Sequence, residues 1–134
     1  MTAQPTVDFE IVSPVIAVVT LLGEHDISTE SSVAATMTLA SDYPYVLVDL
    51  APCTFVDSLT VGAILKGVSS ARALGGQLEL VTGPASPRRR LQWMGVDKLI
   101  VTHDSRADGI ESLARRGRAR TTLLTTLSAL TPRS

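Results

Sequence analysis

One stretch of the sequence, YVLVDL at residues 45–50, limits the possible folds more than any other. Its residues are apolar or β-branched without alternation, which is typical of a central strand that is buried on both faces. QLELV at residues 77–81 alternates apolar and polar residues like a second strand. Between these strands, apolar residues recur with the period of a helix, at Val61, Ile64, Leu65, Val68 and Ala71. A strand, a helix and a strand with connections of this length predict an α/β fold with parallel pairing.

The rest of the chain adds further elements to this unit. VDFEIV at 7–12 and VIAVVTLLG at 15–23 read as strands, and the two-residue break between them predicts an antiparallel pair. Helical patterns follow near residues 30–40, 88–94 and 105–116, whereas APCTF at 51–55 reads as a loop. We therefore expect a sandwich with a mixed sheet of four to five strands, mostly parallel, and four to five helices. Residues 1–115 would form the single domain, and residues 116–134 a basic C-terminal tail or an extra helix.

Composition narrows the class of protein. A chain of 134 residues is long enough for one core, and no apolar run reaches the roughly 18 residues of a membrane span. The N-terminus lacks the basic and apolar regions of a secretory signal. The single cysteine, Cys53, excludes an internal disulfide, and with two histidines at unrelated positions it suggests no metal site or other cofactor. A reducing, cytoplasmic location fits best.

Charge is distributed unevenly along the chain. Residues 1–65 contain eight acidic residues and no Lys or Arg, whereas the remainder contains twelve basic and five acidic residues. Arginine runs at 88–90 and 115–120 could bind phosphate or nucleic acid, but few aromatics and no nucleic-acid motif accompany them, so solvated faces and no direct nucleic-acid contact are expected. The second run could also bind the acidic half of another copy, so a homodimer is compatible with the sequence.

The junction between strand-like and helical patterns at Asp57 and Ser58 is the most informative local feature. An Asp in this place commonly caps a helix by accepting a hydrogen bond from its first turn. Alternatively, the free N–H groups of a helix N-terminus could hold an anion or a hydroxyl that accepts phosphate. Spacing alone leaves both roles open.

The wider pattern resembles the STAS domain family, whose best-known members are bacterial anti-sigma factor antagonists. The resemblance covers residues 7–115 and depends on four motifs in a fixed order. These motifs are a G-E-x-D element at Gly23, Glu24 and Asp26, a D-L strand end at Asp49 and Leu50, an F-[IV]-D-S element at residues 55–58, and a G-G turn at Gly75 and Gly76.

The resemblance implies a function in partner switching. Such a domain binds an anti-sigma factor, a kinase of the histidine-kinase-like ATPase type, and thereby releases a sigma factor. Phosphorylation of the hydroxyl residue two positions after the motif Asp reverses this binding. The residues implied in partner binding here are Glu24, Asp26, Asp57, Ser58, Leu59 and Thr60.

This sequence departs from the family at the phosphorylation site. The residue two positions after Asp57 is Leu59, which has no hydroxyl. The protein could be a permanently unphosphorylated antagonist, or Ser58 or Thr60 could be the acceptor. It could also serve as a STAS subunit of a larger assembly, such as a stressosome-like particle or a lipid transporter. An enzyme with Ser58 or Cys53 as nucleophile is not expected, because no partner base is visible near either residue.

Overall fold

The computed structural model describes residues 4–130, which form one mixed sheet covered by helices on both faces. The strands are β1 (Thr6–Ser13), β2 (Ile16–His25), β3 (Tyr45–Asp49), β4 (Cys53–Val56), β5 (Gln77–Val81) and β6 (Thr102–His103). The helices are α1 (Glu30–Ala40), α2 (Ser58–Ala73), α3 (Arg88–Trp93), α4 (Val96–Leu99) and α5 (Arg106–Leu130). Within this range, no helix is both long enough and apolar enough to cross a membrane.

The sheet has the order β1-β2-β3-β5-β6, and β4 pairs with the far end of β2. Strands β1 and β2 are antiparallel, and all other pairs are parallel. The expected α/β fold, with its first strand pair antiparallel, is therefore confirmed. The interpretation of residues 51–55 as a loop was wrong, because Cys53–Val56 form β4 and bring the sheet to six strands.

The central strand β3 is buried on both faces, as its apolar run predicts. Val46 and Val48 face a core that they share with α1 and α2, whereas Tyr45 and Leu47 face the core beneath α5. Each layer of helices thus covers one face of the sheet.

A buried carboxylate fastens α5 to the sheet. Glu79 on β5 is fully buried, and Gln77, His103, Ser112 and Arg116 each place a nitrogen or oxygen 2.7–2.8 Å from its carboxylate. A buried charge needs this many partners to offset its loss of hydration. His103 is thereby largely buried.

Helix α5 extends to Leu130 without a break. It therefore crosses the predicted domain boundary at residue 115, and residues 116–130 continue the helix that packs on the sheet. Residues 131–134 of the predicted tail lie outside the described residues.

Candidate functional site

The site begins where two parallel strands end at the same edge of the sheet. His25 pairs with Val56, and the N–H of Asp57 donates a hydrogen bond of 3.0 Å to the carbonyl of His25. The loop after β2, which holds Asp26, therefore lies beside the start of α2. The structure thus brings the G-E-x-D and F-V-D-S elements together, although 30 residues separate the two aspartates in sequence.

Gly23 makes this pairing geometrically feasible. Its φ of 85° lies in the left-handed region that favours glycine, and the register of β2 shifts between Gly23 and Glu24. Before this point β2 pairs with β3, and beyond it β2 pairs with β4. The extra residue at this irregularity is Thr54 on β4, and past it His25 pairs with Val56 beside the junction at Asp57.

His25 is the last residue of β2 and is fully buried. One ring nitrogen lies 3.0 Å from the hydroxyl of Thr29, and the other lies 2.9 Å from the carbonyl of Leu22. This histidine fixes the loop that holds Asp26 and is not available to a partner.

Asp26 is exposed and caps a short 3₁₀ turn, Ile27–Thr29. Its Oδ1 accepts hydrogen bonds from the hydroxyl of Ser28 at 2.6 Å and from the Ser28 N–H at 2.9 Å. These bonds, that of the hydroxyl foremost, lower the pKa of Asp26 below its usual value of 3.8. The carboxylate therefore stays negatively charged at any physiological pH.

Asp57 is the N-cap of α2. Its Oδ1 accepts a hydrogen bond of 2.8 Å from the N–H of Thr60, and its backbone is extended, as is typical of a capping residue. Capping is therefore one role of this carboxylate, and Asp57 as a whole is half-buried at the junction.

The first turn of α2 has an unexpected arrangement of polar and apolar side chains. Leu59 is 47% exposed, whereas Thr60 is only 1% exposed. The hydroxyl of Thr60 has no hydrogen-bond partner, alone among the buried side-chain polar atoms of residues 4–130. Ser58 is exposed. Of the two hydroxyls proposed from sequence as phosphate acceptors, Ser58 can be reached from solvent and Thr60 cannot.

We define the junction surface as six exposed residues at the ends of β2 and β4, in the loop after β2 and in the first turn of α2, namely Glu24, Asp26, Ile27, Phe55, Ser58 and Leu59. Two of its members are acidic, and three are apolar. Asp57 adds a third carboxylate at its half-buried edge. This combination of negative charge and exposed apolar area suits a protein partner more than a small solute.

The neighbouring helix α3 extends this surface, which sequence reasoning missed. The guanidinium of Arg90 lies 5.0 Å from the centre of the Phe55 ring, within range of a cation–π contact. On the same helix Trp93 is 81% exposed. A lone tryptophan amid arginines in a short helix is the signal that could have indicated surface exposure.

A groove of about 450 Å³ begins at the junction and runs between α1 and α2. Ser58, Leu59 and Thr60 line its start, and Gly67 lies on its floor, where an added Cβ would come within 2.3 Å of Met37. The groove is therefore continuous with the junction surface.

Two alternative chemistries find no support at this site. Cys53 is buried, and burial raises the pKa of its thiol to about 11, so the thiolate needed for nucleophilic attack is scarce. Among residues 4–130 no three His, Cys, Asp or Glu side chains are grouped as a metal site would require.

Several solved structures share this fold. An anti-sigma factor antagonist from Mycobacterium paratuberculosis is 19% identical, with a TM-score of 0.74 over 85% of this chain and 99% of that chain. The anti-sigma factor antagonist SpoIIAA in its unphosphorylated form is 20% identical, with a TM-score of 0.71 over 81% and 96%. SpoIIAA in its phosphorylated form, described as a Bacillus cell fate determinant, is 21% identical, with a TM-score of 0.63 over 80% and 98%.

At these identities the likeness to solved structures establishes the fold alone. No curated protein sequence matches the chain significantly. The sequence does match a family model, that of the STAS domain, over residues 7–109. This match covers most of the chain and includes both loops of the junction surface. The resemblance drawn from the motifs is thereby confirmed, and the chain belongs to the STAS domain family.

Proposed function

We propose that this protein is an anti-sigma factor antagonist, a binding protein and not an enzyme. Its junction surface would contact an anti-sigma factor of the histidine-kinase-like ATPase type and so release a sigma factor. Support comes from membership of the STAS family and from a fold shared, over most of both chains, with an antagonist from Mycobacterium paratuberculosis and with SpoIIAA.

The exposure of Leu59 is the observation that carries this proposal furthest. In the family, the residue two positions after the motif Asp carries the phosphate that ends binding. Here an apolar side chain, about half exposed, occupies that place at the helix N-terminus. Such a side chain cannot accept phosphate but can pack against a partner, so the binding-competent state would be permanent.

The remaining hydroxyls fit this interpretation. A kinase must reach the oxygen that it phosphorylates, and the oxygen of Thr60 is enclosed in the protein. Ser58 is exposed, but it is the motif serine that ordinarily is not the acceptor. We therefore propose that Thr60 is not an acceptor and that, of the hydroxyls in the first turn of α2, Ser58 is the one that a kinase could reach.

The charge of the junction surface indicates the chemistry of the partner. Glu24, Asp26 and Asp57 are acidic, and Arg90 is the nearby basic side chain that contacts the surface. Complementary charges accelerate encounter and fix orientation, whereas apolar contacts supply most of the affinity. The partner should therefore present basic side chains around an apolar pocket that accepts Leu59.

Titration calorimetry against candidate anti-sigma factors tests this proposal. Leu59→Lys should weaken binding by at least about tenfold, because it removes a central apolar contact. The matched control is Leu39→Lys, since Leu39 is also an exposed helical leucine, lies on α1 and does not line the groove. Failure of the wild-type protein to bind any such anti-sigma factor, with and without nucleotide, would refute the proposed function.

A second experiment tests the missing acceptor. Incubation of the wild-type protein with its kinase partner and ATP should add no phosphate, whereas Leu59→Ser should gain one phosphate, measured by intact-mass spectrometry. Stoichiometric phosphate on the wild-type protein that disappears in Ser58→Ala would show that the switch had moved to Ser58 and was not lost.

A further inference from the structure

A second cavity lies at the carboxyl edge of the sheet, apart from the groove between α1 and α2. It has a volume of about 270 Å³ and is found where β5 and β6 end. Leu80 and Thr102, which pair in register across these two strands, both line the cavity, and so does Thr82, the residue after β5. In open α/β sheets, the crevice outside the carboxyl ends of the strands is the usual place for a ligand.

The cavity has an apolar floor that belongs to the main core. Helices α3 and α4 contain only six and four residues, and they leave a gap over the ends of β5 and β6. Leu80, Leu91 and Val96 line this gap, and each is at most 4% exposed. A molecule in the cavity would therefore contact the core through an apolar part.

Thr82 supplies an unpaired polar group in the wall of the cavity. Its backbone N–H donates a hydrogen bond to the carbonyl of His103, but its hydroxyl bonds to no group in residues 4–130. The residue is only 5% exposed, yet its oxygen is not sealed off as that of Thr60 is. Because buried polar groups nearly always have a partner, this hydroxyl indicates a bound molecule that supplies one.

Charged groups of both signs surround the cavity. Arg88, Asp97 and Asp104 line it, and all three residues are exposed. The guanidinium of Arg88 lies 3.8 Å from the carboxylate of Asp104, which is too long for a hydrogen bond. An exposed ion pair of this kind is weak, so a ligand can separate it easily. Asp97 has no ion-pair partner among residues 4–130.

These features select the chemical class of the ligand. A phosphate compound would meet two carboxylates and one guanidinium, so its negative charge would be repelled. A divalent cation is not favoured, since no three His, Cys, Asp or Glu side chains are grouped in the described part of the chain. The volume is just below the range of about 300–1,000 Å³ of pockets for drug-sized molecules. The ligand should therefore be small, carry both signs of charge and have an apolar part.

We infer that this cavity binds a free α-amino acid with an apolar side chain. Its carboxylate would pair with Arg88 and its ammonium group with Asp97 or Asp104, as charge-assisted hydrogen bonds. The apolar side chain would contact Leu80 and its neighbours on the floor. The hydroxyl of Thr82 would hydrogen-bond to one of the polar groups of the ligand.

This site is separate from the junction surface. Arg88 and Gln92 on α3 line the cavity, whereas Arg90 contacts Phe55 of the junction surface. At about 100° per residue, Arg90 lies on the side of α3 opposite to Arg88 and Gln92. Helix α3 therefore lies between the two sites, and occupation of the cavity does not require a partner at the junction surface.

Titration calorimetry of the full chain with L-leucine, L-isoleucine and L-methionine tests the inference. At least one of them should bind at a single site. Isoamylamine, which is leucine without its carboxylate, and isocaproic acid, which is leucine without its ammonium group, should each bind at least about tenfold more weakly than L-leucine. Absence of binding by all three amino acids, or equal binding by either analogue, would overturn the inference.

Variants locate the site. Thr82→Val and Arg88→Gln should each weaken amino-acid binding by at least about tenfold, because each removes one polar contact to the ligand. The matched control is Arg89→Gln, since Arg89 is exposed on the same helix and does not line the cavity. The Tm of Thr82→Val, measured by circular dichroism, should stay close to that of the wild type, because its hydroxyl bonds to no protein group.

Unchanged amino-acid binding in Thr82→Val and Arg88→Gln would refute the assignment of the ligand to this cavity. So would amide chemical-shift changes, measured by NMR with the same amino acid, that concentrate on α1 and α2 and not on β5, α3 and α4. None of these results bears on binding of an anti-sigma factor at the junction surface. This inference and the proposed function can therefore fail independently.

Discussion

Replacement of Thr60 by valine should stabilise the protein, although it removes a polar group at the junction. Thr60 is almost fully buried, and its hydroxyl has no hydrogen-bond partner in the described part of the chain. Valine has nearly the same shape and the same branching at Cβ, so packing and helix propensity should change little. The backbone N–H of residue 60 would still donate to Asp57.

The magnitude follows from the cost of burying an unpaired hydroxyl. In proteins this cost is about 1–3 kcal/mol, and Thr60→Val would remove it. Allowing for relaxation around the present hydroxyl, we expect the free energy of unfolding to rise by about 1–2 kcal/mol. In a chain of this size, 1 kcal/mol corresponds to about 3 °C in Tm.

Urea denaturation followed by far-UV circular dichroism would measure this change. Thr54→Val is the matched control, since Thr54 is exposed on β4, and it should alter stability by less than about 0.5 kcal/mol. A loss of more than about 1 kcal/mol in Thr60→Val would show that the hydroxyl is bonded in the native protein, which would refute the reasoning. Binding to the anti-sigma factor should survive this substitution, because only 1% of Thr60 is exposed and valine preserves its shape.

Three further predictions concern neighbouring groups. Asp57→Ala should lower the free energy of unfolding by about 1 kcal/mol, whereas Asp57→Ser, which preserves the cap, should lower it by only a few tenths of a kcal/mol. If both variants weaken partner binding equally, the charge of Asp57 has a role separate from capping. Equal destabilisation by the two variants would contradict the capping role. Cys53 should resist iodoacetamide in the native protein at mildly alkaline pH and react once urea is added, because burial raises the pKa of its thiol to about 11. Mass spectrometry would detect the label, and rapid labelling of the native protein would contradict the burial of Cys53. Glu79→Ala should lower the free energy of unfolding, measured by urea denaturation, by about 3 kcal/mol, since it removes the acceptor shared by four side chains. An unchanged free energy of unfolding would show that these bonds do not hold α5 to the sheet.

Much of the fold could be predicted from the sequence because its central elements are strongly patterned. The apolar run of β3 and the stripe of α2 each match one period clearly. Strand β4 was missed because it has four residues, follows Pro52, and exposes two of them. Its pairing with β2 also depends on the bulge at Gly23, which is a tertiary feature.

The candidate site was predictable only in part. The capping position of Asp57 follows from local sequence, and the structure places it there. The rotation of the first turn of α2 does not follow from residue type, because an apolar Leu59 would be expected inside and a polar Thr60 outside. The spacing held a signal nonetheless, since Thr60 lies four residues before the buried Ile64 and therefore on the same helix face.

The length of α5 could not be predicted for a different reason. After Gly117 the sequence is compatible with a docked helix or a frayed end, because its leucines have no sheet beneath them. The structure continues the helix to Leu130. Whether such a segment is helical depends on its tertiary contacts, which the local sequence does not specify.

The most direct test of the account is co-purification of the tagged protein from its native cell, with Leu59→Lys and Leu39→Lys prepared in parallel. We predict that mass spectrometry will identify an anti-sigma factor of the histidine-kinase-like ATPase type with the wild type and Leu39→Lys, and that Leu59→Lys will lose it. Recovery of a transporter or a large particle in its place, or recovery of the same anti-sigma factor with all three proteins, would contradict binding through the junction surface.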